Sequence, residues 1–130
     1  MKTLRLLLVV VFVAFGVVSC EYTFWVPEEV LVIPDANDPD AEQISFAQTI
    51  QPIFTSNCVS CHGGAQLPDL SEGKAFASIN SSRYINTSSP EESRIFSYTN
   101  PDTDSHSQKK YTAAQAAYVL GWITQGAKNN

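Results

Sequence analysis

The sequence has 130 residues, of which 44% are hydrophobic and 16% are charged, and its formal net charge is −5. This length suits one domain and excludes a two-domain enzyme, and the acidic balance argues against binding of nucleic acid, which requires clustered Lys and Arg. The three cysteines are an odd number and therefore do not form a simple set of disulfides. The only methionine is Met1, so the rest of the chain offers no methionine sulfur as a metal ligand.

The first segment has the composition of an export signal. Two basic residues precede an unbroken apolar run over residues 6–18, which as a helix would span about 20 Å, less than the roughly 30 Å core of a bilayer. Residues 17–20, Val-Val-Ser-Cys, resemble the bacterial lipobox. The resemblance implies a signal peptide over residues 1–19 and lipidation of Cys20, hence an exported protein anchored to a bacterial membrane on its periplasmic or cell-surface side. An ordinary secretory signal with an unpaired cysteine is the alternative.

Residues 20–44 form an acidic segment of different composition. From residue 21 onward the segment contains seven Asp and Glu residues, three Pro residues and neither Lys nor Arg. Because like charges repel and Pro favours an extended chain, we expect an irregular, lipid-anchored tether. Its apolar clusters at residues 24–26 and 30–33 leave open whether part of it packs on the domain that follows.

Residues 45–130 predict an all-α domain of short helices joined by polar loops. Ser45 and Gln48 form a capping-box pattern at the start of the first helix. Apolar residues then recur at helical spacing, and Pro52 is expected to kink or restart the helix because it cannot donate to the preceding turn.

Three further helices are expected in this domain. Two short ones lie over residues 71–79 and 90–98, the latter with Pro90 in its first turn. The last helix begins with a second capping box at Thr112 and ends at Gly126. Its apolar face is Ala116, Val119, Leu120 and Ile123, with Trp122 beside it.

The pattern that carries chemistry lies at residues 58–62, Cys-Val-Ser-Cys-His. This C-x-x-C-H spacing is that of covalent haem attachment: the thiols of Cys58 and Cys61 reach the two vinyl groups on one edge of the porphyrin, and His62 ligates the iron. Export agrees with this prediction, since assembly of haem c requires it. Two alternatives stay open, a Cys58–Cys61 disulfide of thioredoxin type and a structural zinc site that adds His62 and His106 to the cysteines.

Residues 45–130 also resemble the small mono-haem c-type cytochrome domains of exported bacterial proteins. Besides C-x-x-C-H, the matching stretches are Ile-Gln-Pro-Ile-Phe at 50–54, Gly-Gly at 63–64, Leu-Pro-Asp-Leu at 67–70, Pro-Glu-Glu-Ser-Arg-Ile-Phe at 90–96 and Trp-Ile-Thr-Gln-Gly-Ala at 122–127. The resemblance implies a cytochrome c-like fold of three to four short helices around one covalent haem. It also implies that the first and last helices cross beside the haem, so that Phe46 and Ile50 meet Leu120, Trp122 and Ile123.

The second axial ligand of the iron departs from the family pattern. Family members often place a methionine in the loop before the last helix, and this chain has none there. His106 lies in that loop and is the only histidine besides His62, so we expect His106 to be the second iron ligand. A deprotonated Lys109 or Lys110, or an iron with one open position, are the alternatives.

These features together predict an electron carrier rather than an enzyme. The expected function is transfer of single electrons between exported redox partner proteins by a membrane-anchored mono-haem cytochrome, because an iron with two protein ligands has no open site. Two other functions stay open, a five-coordinate haem sensor or peroxidase-like enzyme, and a non-redox accessory binding module with a Cys/His metal site.

Overall fold

The computed structural model describes residues 34, 35, 38 and 40–130. The predicted signal peptide over residues 1–19, the lipidation site Cys20 and most of the predicted tether lie outside the described residues. The chain divides into two units, Met1–Val30 and Leu31–Asn130, and every described residue belongs to the second. Among these residues, no helix is both long enough and apolar enough to cross a membrane.

Helices account for 43% of the described residues, and no strand occurs among them. The helical segments, in chain order, are a π-helical turn at Phe46–Ile50, α1 at Gln51–Asn57, α2 at Val59–His62, α3 at Ala75–Ile79, a 3-10 turn at Pro90–Glu92, α4 at Arg94–Ser97 and α5 at Ala113–Thr124. The predicted all-α class is therefore confirmed for this part of the chain.

The first helical region starts and restarts where the sequence predicts. Ser45 is the N-cap, and its hydroxyl accepts a hydrogen bond of 3.2 Å from the backbone N–H of Gln48. The chain then passes from the π-helical turn into α1, with Pro52 in the first turn of α1. Pro is tolerated there because the first N–H groups of an α-helix have no partner within the helix.

The two middle helices are shorter than predicted. Residues 71–74 form a turn in which Gly73 has a φ of 77°, so α3 covers only the second half of the expected segment. The expected helix over residues 90–98 is interrupted at Ser93, whose φ of −57° and ψ of 126° are extended. The buried Ser93 hydroxyl accepts from the Asn86 N–H at 2.9 Å and donates to the Asn86 carbonyl at 3.3 Å. These bonds tie Ser93 to the preceding loop.

The last helix, α5, agrees with its prediction in both its start and its buried face. Thr112 and Gln115 form a complete capping box, with bonds of 3.2 Å and 3.0 Å. Val119 and Ile123 are fully buried, and Trp122 is 1% exposed. Leu120 is only partly buried and lies at the margin of the core.

An aromatic cluster joins the first helical region to α5. The Phe46 ring centroid lies 5.3 Å from that of Trp122 and 5.3 Å from that of Phe76. The predicted meeting of Phe46 with Trp122 is confirmed. Truncation of an aromatic residue in such a core typically costs about 3–5 kcal/mol, so this cluster is a principal source of stability.

The end of the predicted tether packs beside the end of α5. Ile44 is 5% exposed, and its N–H donates to Gln125 Oε1 at 2.8 Å. The amide nitrogen of Gln125 in turn donates to the Glu42 carbonyl at 3.2 Å. The packed part of the chain therefore includes the last residues of the acidic segment.

Candidate functional site

The C-x-x-C-H motif begins at Cys58, the residue between α1 and α2, and continues through the single turn of α2. The backbone N–H of Cys58 donates to the Phe54 carbonyl at 2.8 Å, and that of His62 donates to the Cys58 carbonyl at 2.9 Å. This turn places Cys58 and His62 on the same side, since residues four apart on a helix are neighbours. Gly63 follows because a Cβ at that position would lie 2.8 Å from the Val59 carbonyl oxygen.

The His62 ring is oriented by a hydrogen bond at one of its nitrogens. Its Nδ1 lies 3.1 Å from the carbonyl oxygen of Pro68. A carbonyl can only accept, so the contact is a hydrogen bond when Nδ1 carries the proton, and in the neutral imidazole that tautomer leaves the Nε2 lone pair free. Most metal-binding histidines use this arrangement. One ring nitrogen binds the metal, and the other donates a hydrogen bond to a group that is not itself a metal ligand.

The loop that supplies the Pro68 carbonyl is held at several points. Leu70 donates its N–H to the His62 carbonyl at 2.6 Å, and its own carbonyl accepts from the buried Gln51 side chain at 3.1 Å. The Asp69 carboxylate accepts one hydrogen bond from the Ser71 N–H at 3.1 Å and one from the Ser71 hydroxyl at 2.5 Å. The Ser71 hydroxyl, with help from its N–H, holds the pKa of the Asp69 carboxyl below its usual value.

His106 lies close to His62, and both side chains border the same cavity. The two ring centroids are 6.3 Å apart, with an angle of 35° between the ring planes. A metal ion bound at about 2 Å to one nitrogen of each ring, from opposite sides, would hold the centroids roughly 6 Å apart. The Nδ1 atom of His106 is also buried, with no hydrogen-bond partner among the described residues. The structure thus brings together the two predicted iron ligands, 44 positions apart in the sequence.

The loop that carries His106 is closed at its base. The N–H of Tyr111 donates to the Thr99 carbonyl at 2.9 Å, and the buried Tyr111 hydroxyl donates to the Ile95 carbonyl at 3.0 Å. Burial raises the pKa of the Tyr111 hydroxyl far above its usual value, so it stays protonated. Within the loop, Lys110 contacts the Asp104 carboxylate at 3.3 Å.

Both cysteines of the motif border the same cavity as the two histidines. The cavity has a volume of about 280 Å³. Apart from Cys58, Cys61, His62 and His106, its lining includes Asn57, Ser60, Leu67, Pro68, Leu70, Arg83, Tyr84, Arg94, Ile95, Tyr98, Thr99, Gln108, Lys109 and Tyr111. Apolar and aromatic walls with a few convergent polar groups are typical of a cofactor site.

The state of the thiols bears on the disulfide alternative. Cys58 is half-buried, Cys61 is exposed, and both are free thiols. Burial raises the pKa of Cys58 to about 11, although Lys109 partly opposes the shift. A disulfide oxidoreductase requires the opposite, a cysteine with a lowered pKa, so this environment disfavours thioredoxin-type chemistry.

The arrangement of ligands also bears on the zinc alternative. Within the described part of the chain, no three His, Cys, Asp or Glu side chains are grouped so that they could hold a metal ion by themselves. A structural zinc ion needs four such ligands in a tetrahedron. A haem needs only the two axial ligands from the protein, which is what the opposed His62 and His106 rings offer.

Several site residues were not found from the sequence. Asn57, Arg83 and Arg94 line the cavity, and the Pro68 carbonyl orients His62. One signal for the arginines was available, because they are the only two arginines after Arg5.

No protein-family model, curated protein or solved structure compared with this chain matches it.

Proposed function

We propose that residues 45–130 form a c-type cytochrome domain in which Cys58 and Cys61 attach one haem and His62 and His106 ligate its iron. The observation that carries this proposal is the close pair of imidazole rings, whose centroids are 6.3 Å apart and which border the same cavity as both thiols. The hydrogen bond of His62 Nδ1 with Pro68 supports it, because it leaves Nε2 free for a metal.

The cysteines supply the covalent attachment. Cys58 and Cys61 would each add across one vinyl group, so that a carbon–sulfur bond would form and the thiol hydrogen would pass to the other vinyl carbon. Sulfur addition of this kind consumes neither an oxidant nor a reductant. Cys61 is exposed and Cys58 is half-buried, so one thiol lies at the mouth of the cavity and the other deeper.

The two histidines determine the class of function. A bound haem supplies an iron that alternates between the ferrous and ferric states. His62 and His106 would together hold the iron and would leave no position open to a substrate or a gas, so we propose a carrier of single electrons rather than an enzyme or sensor. An imidazole in place of methionine also gives a lower reduction potential, since Met/His ligation raises it.

The location follows from the N-terminal segments. We propose that Cys20 carries the lipid anchor and that the acidic segment after it joins the anchor to the domain, on the exported side of a bacterial membrane. A segment of 24 residues spans at most about 80 Å when fully extended. Within that radius the domain would exchange electrons with exported redox partner proteins.

Covalent haem staining of a denaturing gel tests the proposal. The full chain is expressed together with a cytochrome c maturation system, beside a Cys58→Ala/Cys61→Ala variant. A Ser60→Ala variant serves as the matched control, because it alters the same turn without removing a thiol. We expect stain in the wild type and the control and none in the double variant. A well-expressed but unstained wild type would overturn the proposal, and zinc analysis would then test the accessory-module alternative.

A further inference from the structure

Among the described residues, the cavity walls carry positive charge without a compensating negative charge. Arg83, Arg94 and Lys109 line the cavity, whereas none of the described Asp and Glu residues does. The composition does not predict a positively charged cavity, because the whole chain has a formal charge of −5 and residues 45–130 contain as many acids as bases. A cavity of this kind suits an anionic occupant.

The two arginines belong to the same wall of the cavity. Their chain neighbours are joined directly, since the N–H of Ile95 donates to the Tyr84 carbonyl at 3.1 Å. The Arg94 guanidinium lies 4.3 Å from the ring centroid of Tyr98, and the Arg83 guanidinium lies 5.5 Å from that of Tyr84. Both tyrosines line the cavity, and such stacking orients a planar guanidinium while leaving its N–H groups free to donate.

Neither arginine has a partner of opposite charge in the described part of the chain. The ion pairs found there involve Lys74 with Asp69 and Lys110 with Asp104. Arg83 and Arg94 thus offer two forked sets of N–H donors at one wall, and bidentate pairing with a carboxylate is the strong interaction that this fork provides.

The third cation of the lining, Lys109, lies near the C-x-x-C-H motif. It is close enough to Cys58 to lower its pKa electrostatically against the larger effect of burial.

We propose that Arg83 and Arg94 bind the two propionate carboxylates of the haem. This inference rests on the proposed function and adds the residues that fix the orientation of the group in its cavity. The propionates leave the porphyrin at a different edge from the vinyl groups that Cys58 and Cys61 hold. The cysteines and the arginine pair would therefore hold the porphyrin at separate edges. The two guanidinium charges would offset the two carboxylate charges.

The test uses the haem-loaded full chain and its Arg83→Gln, Arg94→Gln, Arg83→Lys and Arg94→Lys variants. The first readout is the propionate bending region of the resonance Raman spectrum, which shifts when a carboxylate loses a hydrogen bond. The second is the reduction potential, which falls when a positive charge near the iron is removed. We expect the glutamine variants to change both, and the lysine variants to change the Raman bands but to retain more of the potential.

Two lysine substitutions are the matched controls. Lys109→Gln removes an equal charge from the cavity and should lower the potential without shifting the propionate bands. Lys128→Gln removes an equal charge from a residue that donates to Gln43 at 3.0 Å and does not line the cavity, and should change neither readout. If the glutamine and lysine variants of both arginines give the propionate bands of the wild type, the inference is wrong while the proposed function stands. If the wild type takes up no haem, both are wrong.

Discussion

Replacement of His106 by alanine tests the ligand set most directly. In the wild type we expect a low-spin spectrum and little reaction with carbon monoxide, because both faces of the iron are occupied. The His106→Ala protein should become high-spin and bind carbon monoxide readily.

The structure also gives the size of the expected rescue by free imidazole. The His106 loop is closed at its base by the hydrogen bond of 2.9 Å between Tyr111 and Thr99. A ligand held on such a short connection acts at an effective concentration on the order of millimolar or above. Added imidazole should restore the low-spin spectrum of His106→Ala, and it would have to reach roughly millimolar concentrations or more to match the occupancy that His106 gives in the wild type.

Optical titrations with carbon monoxide and with imidazole measure both effects. Ser105→Ala, next to the ligand, and a Lys109→Ala/Lys110→Ala variant are the controls, and both should stay low-spin. A low-spin spectrum in His106→Ala that resists carbon monoxide would refute the assignment of His106. Loss of the low-spin spectrum in the double lysine variant would instead identify a lysine as the ligand.

Other predictions concern stability and location. Thr112→Ala removes the hydroxyl of the α5 capping box and should lower the free energy of unfolding by about 1 kcal/mol, as measured by denaturant titration; an unchanged midpoint would contradict the role of the cap. The Asp69 pKa is lowered in the folded state, so its stabilising effect is present above the unfolded pKa and is lost as the pH falls through the folded pKa. Asp69→Asn should accordingly lose less stability than the wild type between about pH 5 and pH 2, and parallel acid titrations of the two proteins would disprove this. Cys20→Ser should abolish labelling with radioactive palmitate and release the protein from the membrane fraction; label retained in that variant would place the lipid elsewhere.

The elements that the sequence predicted well are those set by local chemistry. The caps at Ser45 and Thr112 and the restart at Pro52 depend on hydrogen bonds within one turn, so the pattern of residues is sufficient to find them. The extent of the middle helices was not predictable in the same way. Ser93 interrupts its segment because its hydroxyl bonds to Asn86, and that partner is set by the path of the loop.

The same distinction between local and long-range determinants applies to the candidate site. The spacing of Cys58, Cys61 and His62 was visible in the sequence because one helical turn contains all three. His106 was predicted from the absence of any other suitable side chain, and its approach to His62 depends on the loop closed by Tyr111. The arginines were missed because their placement depends on how the loop between residues 84 and 95 folds back, so that Ile95 bonds to Tyr84.

The closed loop before α5 carries the proposed second axial ligand, His106, and makes it separable from the rest of the fold. Residues 100–110 leave and rejoin the domain at neighbouring points, Thr99 and Tyr111, and none of them belongs to the buried core. The loop can therefore be exchanged as a cassette, with a donor other than imidazole, while the packing of Phe46 against Trp122 stays intact. A set of such exchanges would give a series of proteins with one scaffold and graded reduction potentials.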